Sequence, residues 1–267
     1  MKTIGLLAGV GRLPVEFARA ARGMGCAVVT IALLPDCDQE LTAVSDKFFA
    51  ISIGQLDAIM TKLKLEQVSE VTLLGKVTKE LLFTGQVTAD RRLMKLLATL
   101  PDHKDDTIMR SFAHELITEG IAVLDQTKLI AALMPSHGIL TQCQPTAATL
   151  DDMKFGFAVA RQIGGMDIGQ TVVVKQGAVL AVEAIEGTDA CIRRGGQLGG
   201  GGVIVAKAAK PGQDMRFDVP GVGVETIRSM LDAKAVGLVI EAGKTLLVDR
   251  EAVIALADAH DISIVAM

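Results

Sequence analysis

The chain has 267 residues, 50% of them hydrophobic and only 3% aromatic, with no Trp or Tyr and a net charge of −4. It therefore lacks both the aromatic platforms on which single-stranded bases stack and the broad basic face that duplex DNA needs, which argues against a nucleic-acid module. No apolar run reaches the roughly 18 residues of a membrane-spanning helix, and a mean hydropathy of +0.42 suits parallel strands buried on both faces.

In chain order, Thr3–Ala8 is an apolar strand that follows Met1 almost at once, so no signal peptide is expected. Pro14–Gly23 reads as a helix, with proline at its start and glycine at its end. Cys26 begins a set of scattered cysteines that continues with Cys37, Cys143 and Cys191 and contains no C-x-x-C pair. That pattern favours reduced thiols and an intracellular, cytoplasmic setting over a zinc ribbon. Strands follow at Ala27–Leu33 and Phe48–Ile51, a helix at Leu56–Leu65 and a strand at Val68–Leu74 that runs into Gly75-Lys76. Helical patterns cover Asp90–Leu100 and Asp105–Glu119, and Ile121–Leu124 closes the series as a strand. This alternation predicts a mostly parallel, Rossmann-like sheet.

Met134–Thr149, with Pro135, Gly138 and Pro145, reads as a connection. The division expected is a first domain over 1–134, a linker over 135–149 and a second domain over 150–267. Leu150–Gly164 is helical, with Asp151 and Asp152 placed to favour the positive end of its dipole. Thr171–Lys175 and Ala178–Ala184 flank Gln176-Gly177 as a hairpin. Further strands are expected at Val203–Lys207, Gly237–Glu241, Thr245–Asp249 and Ile262–Ala266, and helices at Val224–Lys234 and Arg250–Ala259. The second half is thus a mixed α/β domain, and Gly195–Gly202 is its one low-complexity tract.

Two segments concentrate charge beyond what a core requires. The first carries Glu183, Glu186, Asp189, Arg193 and Arg194 around a glycine turn; the second carries Lys207, Lys210, Asp214, Arg216 and Asp218. Cations and carboxylates alternating at strand ends suit a phosphorylated substrate with a divalent metal. Mg²⁺ takes oxygen ligands and keeps several waters, while lysines and arginines meet phosphate. Gly9 and Gly11, between a strand and a helix, would let backbone N–H groups approach an anion. A dinucleotide fingerprint needs its third glycine where Pro14 stands. Lys76 is a second phosphate candidate at the same sheet edge. Asp105 and Asp106 serve either as helix caps or near a metal.

Several blocks together resemble the LpxI-type UDP-2,3-diacylglucosamine pyrophosphatases of the lipid A pathway. They are Gly5-Leu-Leu-Ala-Gly-Val-Gly-Arg-Leu-Pro14, Leu74-Gly-Lys-Val77, Lys104-Asp-Asp106, Asp167-Ile-Gly-Gln170, Glu183-Ala-Ile-Glu-Gly-Thr-Asp189, Phe217-Asp-Val-Pro220 and the stretch from Glu241 to Glu251. The resemblance implies a two-domain, Mg²⁺-dependent bacterial hydrolase with its ligand in the interdomain crevice. Its products would be UMP and 2,3-diacylglucosamine 1-phosphate (lipid X). It implies that Asp218 is the essential, catalytic aspartate. The chemistry of the charged and glycine-rich segments makes Asp189, Glu183 and Asp218 the candidate metal ligands, and Gly9, Gly11, Lys76, Gln170, Thr188, Arg193, Lys207 and Lys210 the candidate substrate contacts. Lys76 stands where the family pattern has asparagine, and Gly195–Gly202 shortens a longer charged segment. Peripheral contact with the inner-membrane surface and a homo-oligomeric partner are further expectations. The alternatives are a non-catalytic nucleotide or phospholipid binding protein and an NAD(P)-dependent oxidoreductase. The second rests on the first loop alone, and the absence of tyrosine removes a Tyr-x-x-x-Lys catalyst from it.

Overall fold

A computed structural model describes residues 2–77, 87–102, 105–125, 127–211, 216 and 219–267. The chain forms two compact units, the first reaching Ile130 and the second beginning at Ala131.

The first unit is built on five strands: β1 (Thr3–Ala8), β2 (Ala27–Ala32), β3 (Lys47–Ala50), β4 (Glu70–Leu74) and β5 (Ala122–Val123). All pair in parallel, in the order β3-β2-β1-β4-β5. The helices are α1 (Leu13–Gly23), α2 (Leu41–Val44), α3 (Leu56–Leu65), α4 (Arg91–Ala98), α5 (Asp105–Thr118) and α6 (Thr127–Ile130). One core of Leu7, Ile31, Leu56, Ile59, Leu63, Val71, Phe112 and Leu116 ties α3 and α5 to the sheet. Burying each such side chain contributes about 1.5–3 kcal/mol. Asp90 fixes two helix starts at once, accepting from Leu93 N at 2.8 Å in its own helix and from Asp57 N at 2.7 Å in α3. Because β2 and β4 flank β1, the strand order reverses there, and the loops after β1 and β4 lie side by side at the switch point.

The second unit comprises β6 (Gly138–Ile139), α7 (Ala147–Gly165), β7 (Thr171–Lys175), β8 (Ala178–Val182), α8 (Thr188–Gly199), β9 (Val203–Lys207), β10 (Gly221–Val222), α9 (Val224–Asp232), β11 (Ala235–Ile240), β12 (Leu246–Leu247), α10 (Arg250–Asp258) and β13 (Ser263–Ala266). Its main sheet runs β6-β13-β11-β9-β7-β8, parallel through β13, β11 and β9 and antiparallel at both flanks. Strand alternation sorts its side chains. Val172, Val174, Ile204 and Ala206 face α7 with Met153 and Ala160. Val173, Val203 and Val205 face the other way, toward Cys191, Ile227 and Val253 on α8 to α10.

Two local expectations are corrected by this architecture. Residues 135–149 are more than a connection. Gly138 and Ile139 pair with Ala266 and Val265, Leu140 N donates to Ile264 O at 2.8 Å, and Thr141 Oγ1 accepts from Ile264 N at 2.9 Å. Their Pro-, Gly- and Thr-rich composition is that of a short edge strand, which resembles a loop in sequence. Helix α7 also starts earlier, at Ala147, with Thr146 Oγ1 accepting from Thr149 N at 3.1 Å as its cap. Asp152 therefore lies beyond the first turn, and its carboxylate instead takes Gln176 N and Gly177 N, each at 2.7 Å, clamping the β7–β8 turn.

The glycine tract, read from sequence only as low complexity, is largely helix. Within α8, a Cβ on Gly195 would lie 2.5 Å from Val173, on Gly196 2.4 Å from Ala233, and on Gly199 2.5 Å from Val203. Each glycine costs about 1 kcal/mol of helix propensity, and close approach to the sheet and to α9 offsets it. The helix ends at Gly200 in the left-handed region, φ 63°, and Lys175 Nζ donates to Gly199 O at 2.8 Å and Gly201 O at 2.7 Å.

Candidate active site

A buried polar cluster lies at the end of the second sheet where β9 stops and β7 begins, with Lys207 opposite Thr171. Lys207 is 5% exposed and Glu183, just past β8, is 8% exposed. The Lys207 ammonium donates to Gly221 O at 2.9 Å and to Thr188 Oγ1 at 3.2 Å. Thr188 Oγ1 donates in turn to Glu183 Oε1 at 2.9 Å. The other carboxylate oxygen, Oε2, accepts from Gln170 N at 3.3 Å. Thr171 Oγ1 lies 3.4 Å from Thr188 Oγ1. Gln170, Thr188 and Lys207, expected from sequence as substrate contacts, and Glu183, expected as a metal ligand, thus form one hydrogen-bonded group.

The backbone explains why the group is tight. A Cβ on Gly169 would strike Glu183 O at 2.1 Å, so only glycine lets the segment before β7 lie against the segment after β8. Ala208 N donates to Gln170 O at 3.0 Å, and Ala209 N donates to Glu241 Oε2 at 2.9 Å. Glu241 also accepts from Lys244 Nζ at 2.8 Å. Glu241, Ser229 and the carbonyl of Gly221 were missed by sequence reasoning. They reach the neighbourhood from β11, α9 and β10, and no spacing in the chain announces them.

The remaining expected residues are held elsewhere. Asp189, next to Thr188, accepts from Ser229 Oγ at 3.1 Å. Lys210 donates to Asp167 at 2.7 Å. Arg193 turns to Asp232 on α9 at 3.1 Å, and Arg194 binds Val182 O and Glu186. The Glu186 carboxyl is held below its usual range by its own backbone N–H first, then by Arg194. Within α8, burial pushes the Cys191 thiol up to about 12, with Arg194 opposing the shift.

In the first unit the glycine loop gives up backbone N–H groups expected for an anion to protein carbonyls. Gly9 N donates to Leu74 O at 2.8 Å, Val10 N to Lys76 O at 2.9 Å, and Lys76 N to Val10 O at 2.8 Å. A Cβ on Gly9 would lie 2.6 Å from Lys76 O, so the glycine serves this close pairing of the loops after β1 and β4. Gly11, at φ 112°, is the glycine that conformation itself requires. Arg12 beside it is ion-paired with Asp38, Glu40 and Glu16, which holds its guanidinium above the ordinary value, chiefly through Glu40.

Among the described residues no three acidic, histidine or cysteine side chains come together as a metal site. The local ligand atoms are nevertheless the hard oxygens that Mg²⁺ takes: Asp189, and Gln170 Oε1, which is buried without a partner among the described residues. Asp218 lies outside the described residues, as do Asp214 and Lys104; the side chains of Asp105 and Asp106 do too.

Comparison with known proteins bears on the whole chain. Residues 3–133 match the LpxI N-terminal domain and residues 136–265 the LpxI C-terminal domain. The chain is 36% identical over 272 residues to the UDP-2,3-diacylglucosamine pyrophosphatase LpxI of Caulobacter vibrioides, covering 97% of this chain and 95% of the relative. Likeness to solved structures is slight. The biotin carboxylase subunit of pyruvate carboxylase aligns at 14% identity and a TM-score of 0.30, over 68% of this chain and 36% of that one. A glycinamide-RNase-transformylase T from Mycobacterium tuberculosis aligns at 12% and 0.26, over 52% and 38%.

Proposed function

From membership of the LpxI family, to which this chain belongs, we propose that it hydrolyses the pyrophosphate bond of UDP-2,3-diacylglucosamine. The products are UMP and 2,3-diacylglucosamine 1-phosphate, in lipid A biosynthesis. The observation that carries this reading is identity to a named pyrophosphatase over 97% of the chain.

The reaction adds water to one phosphorus as the bridging P–O bond breaks, and it needs charge neutralised on the phosphate oxygens. The buried ammonium of Lys207, held at the end of β9, is the group we assign to a phosphate oxygen. Lys210, nearby in the chain, adds a second cation, shared with Asp167. Asp218 is assigned the activation or orientation of the attacking water, and Mg²⁺ is proposed on Asp218 and Asp189 with water completing its shell. Bound there, the ion would supply further neutralisation of the pyrophosphate. No helix among the described residues is long and apolar enough to cross a membrane. Met166, Ile168 and Ile185 are exposed apolar side chains of the kind a peripheral, cytoplasmic-side contact with the substrate's bilayer would use.

The test is UMP release by the purified chain from UDP-2,3-diacylglucosamine, with and without Mg²⁺. Asp218→Asn is expected to lower kcat by about 10² or more, with the melting temperature kept. Binding without turnover in the unmodified protein would support the sensor alternative instead. Normal turnover in Asp218→Asn would remove that residue from the chemistry.

A further inference from the structure

We infer that Thr188 and Glu183 are positioning residues that aim the Lys207 ammonium, and that Glu183 is not a metal ligand. The inference rests on the hydrolase reading and assigns roles within that same site.

The geometry is a connected chain of hydrogen bonds. A threonine hydroxyl has one proton and two lone pairs. Here the proton goes to Glu183 Oε1, one lone pair takes the Lys207 ammonium, and the other faces Thr171 Oγ1. Both Glu183 oxygens are engaged, one by Thr188 and one by Gln170 N. A carboxylate that is 8% exposed and turned toward Thr188 and Gln170 N has little open surface for a cation that keeps several waters. Its negative charge acts on Lys207 through the hydroxyl between them. It also sets which way that hydroxyl points, because the carboxylate can only accept. Replace it by a group that can donate, and the hydroxyl can turn its proton toward Lys207, where it repels the ammonium.

The register explains why three strands and a helix are used. Lys207 ends β9, Thr171 begins β7, Glu183 follows β8 and Thr188 opens α8. A flexible lysine stem would otherwise sample many rotamers. Here Gly221 O and Thr188 Oγ1 are among the acceptors that hold the charge in one place. Electrostatic stabilisation depends on donors fixed before the reaction begins, so loss of the aim costs turnover even when the lysine itself remains.

The experiment measures UMP release and Mg²⁺ dependence in Thr188→Val, Thr188→Ser, Glu183→Gln and the unmodified protein, with melting curves as a folding check. Thr188→Val is expected to lower kcat by about 10²-fold, the scale of a misplaced catalytic group, with KM and the half-saturating Mg²⁺ concentration little changed. Thr188→Ser, which keeps the hydroxyl, is expected to recover most of that loss. If Thr188→Val folds poorly, the serine variant and Glu183→Gln carry the test. Glu183→Gln is expected to lower kcat with an unchanged Mg²⁺ half-saturation. Wild-type kcat in Thr188→Val would overturn the inference. So would a Glu183→Gln variant that needs about 10-fold more Mg²⁺ and recovers full activity when given it, as a lost metal ligand does. An unmodified protein that releases no UMP would overturn the hydrolase reading itself, an outcome distinct from active protein with indifferent variants.

Discussion

Cys191 lies wholly inside α8's packing against the second sheet, and desolvation holds its thiol protonated, with a pKa pushed up to about 12. The thiolate is the reactive form, so native protein treated with a disulfide reagent at neutral pH should label Cys26 and Cys143 while Cys191 stays unmodified until unfolding. Early modification of Cys191, read by peptide mass, would contradict its burial. At the opposite electrostatic extreme, Glu119 closes α5 beside Lys64 and Arg92, and its carboxyl falls to about 2 from an ordinary 4.5, with Lys64 the first cause. A depressed carboxyl pKa contributes stability that is present above the unfolded value and lost as pH falls through the folded one. Glu119→Gln should therefore melt below the parent at neutral pH, and the gap should close between about pH 4.5 and 2. A gap that does not change with pH would show that the carboxylate's charge is irrelevant. The residues of the candidate site were legible by type, since Glu183, Thr188 and Lys207 stand in charged, glycine-punctuated blocks. Ser229, Glu241 and the Gly221 carbonyl, which bond Asp189, Ala209 N and Lys207, were not, because hydrogen bonds across 14 to 40 positions leave no local pattern.

The element that most departs from local propensity is α8. Gly195, Gly196 and Gly199 would weaken any isolated helix, yet they let it sit against Val173, Ala233 and Val203. Gly196→Ala should gain about 1 kcal/mol of propensity and lose about 1–3 kcal/mol to overpacking against the Ala233 backbone, for a lower melting temperature. A rise in melting temperature would show that α9 can move away. A second element-scale test concerns the β7–β8 turn. Asp152 accepts two backbone N–H groups there, and hydrogen bonds to a charged group are worth about 1.5–3 kcal/mol each when well shielded. This turn is exposed, so Asp152→Ala should cost nearer 1 kcal/mol by chemical denaturation, and no loss at all would rule out the clamp. Strands with continuous apolar runs, such as β1, β2 and β9, could be read directly, because burial on both faces dictates their composition. Strand β6 could not, since an edge strand of this length is chemically indistinguishable from a loop until β13 is beside it.

At the scale of the whole chain, the core clusters are drawn from within each unit. Leu7, Leu63 and Leu116 belong to one, and Val173, Ile227 and Ile264 to the other. A fragment starting at Ala131 should accordingly keep a cooperative thermal transition by circular dichroism. A featureless melt would show that its sheet needs the rest of the chain. The second unit also carries the Lys207 group, so its fold and the proposed chemistry should be separable by substitution. Ile204→Ala, in the layer under α7, should cost about 2–5 kcal/mol of stability, with kcat kept at temperatures where the variant stays folded.

The class of the fold was determined by sequence alone. Alternating apolar strands and amphipathic helices leave a parallel sheet as the arrangement that buries both faces, and glycines after strands mark where the chain turns. The concentration of cations and carboxylates in the second half was equally plain, because charge of that density has no use in a core. Tertiary structure decided how those groups combine. It spent the N–H groups of Gly9 and Val10 on a neighbouring loop and drew Arg193 away to Asp232. It joined Lys207, Thr188 and Glu183 through a single hydroxyl. Propensity and periodicity act over a few residues, whereas a hydrogen bond is chosen by whichever partner the packed strands bring within about 3 Å.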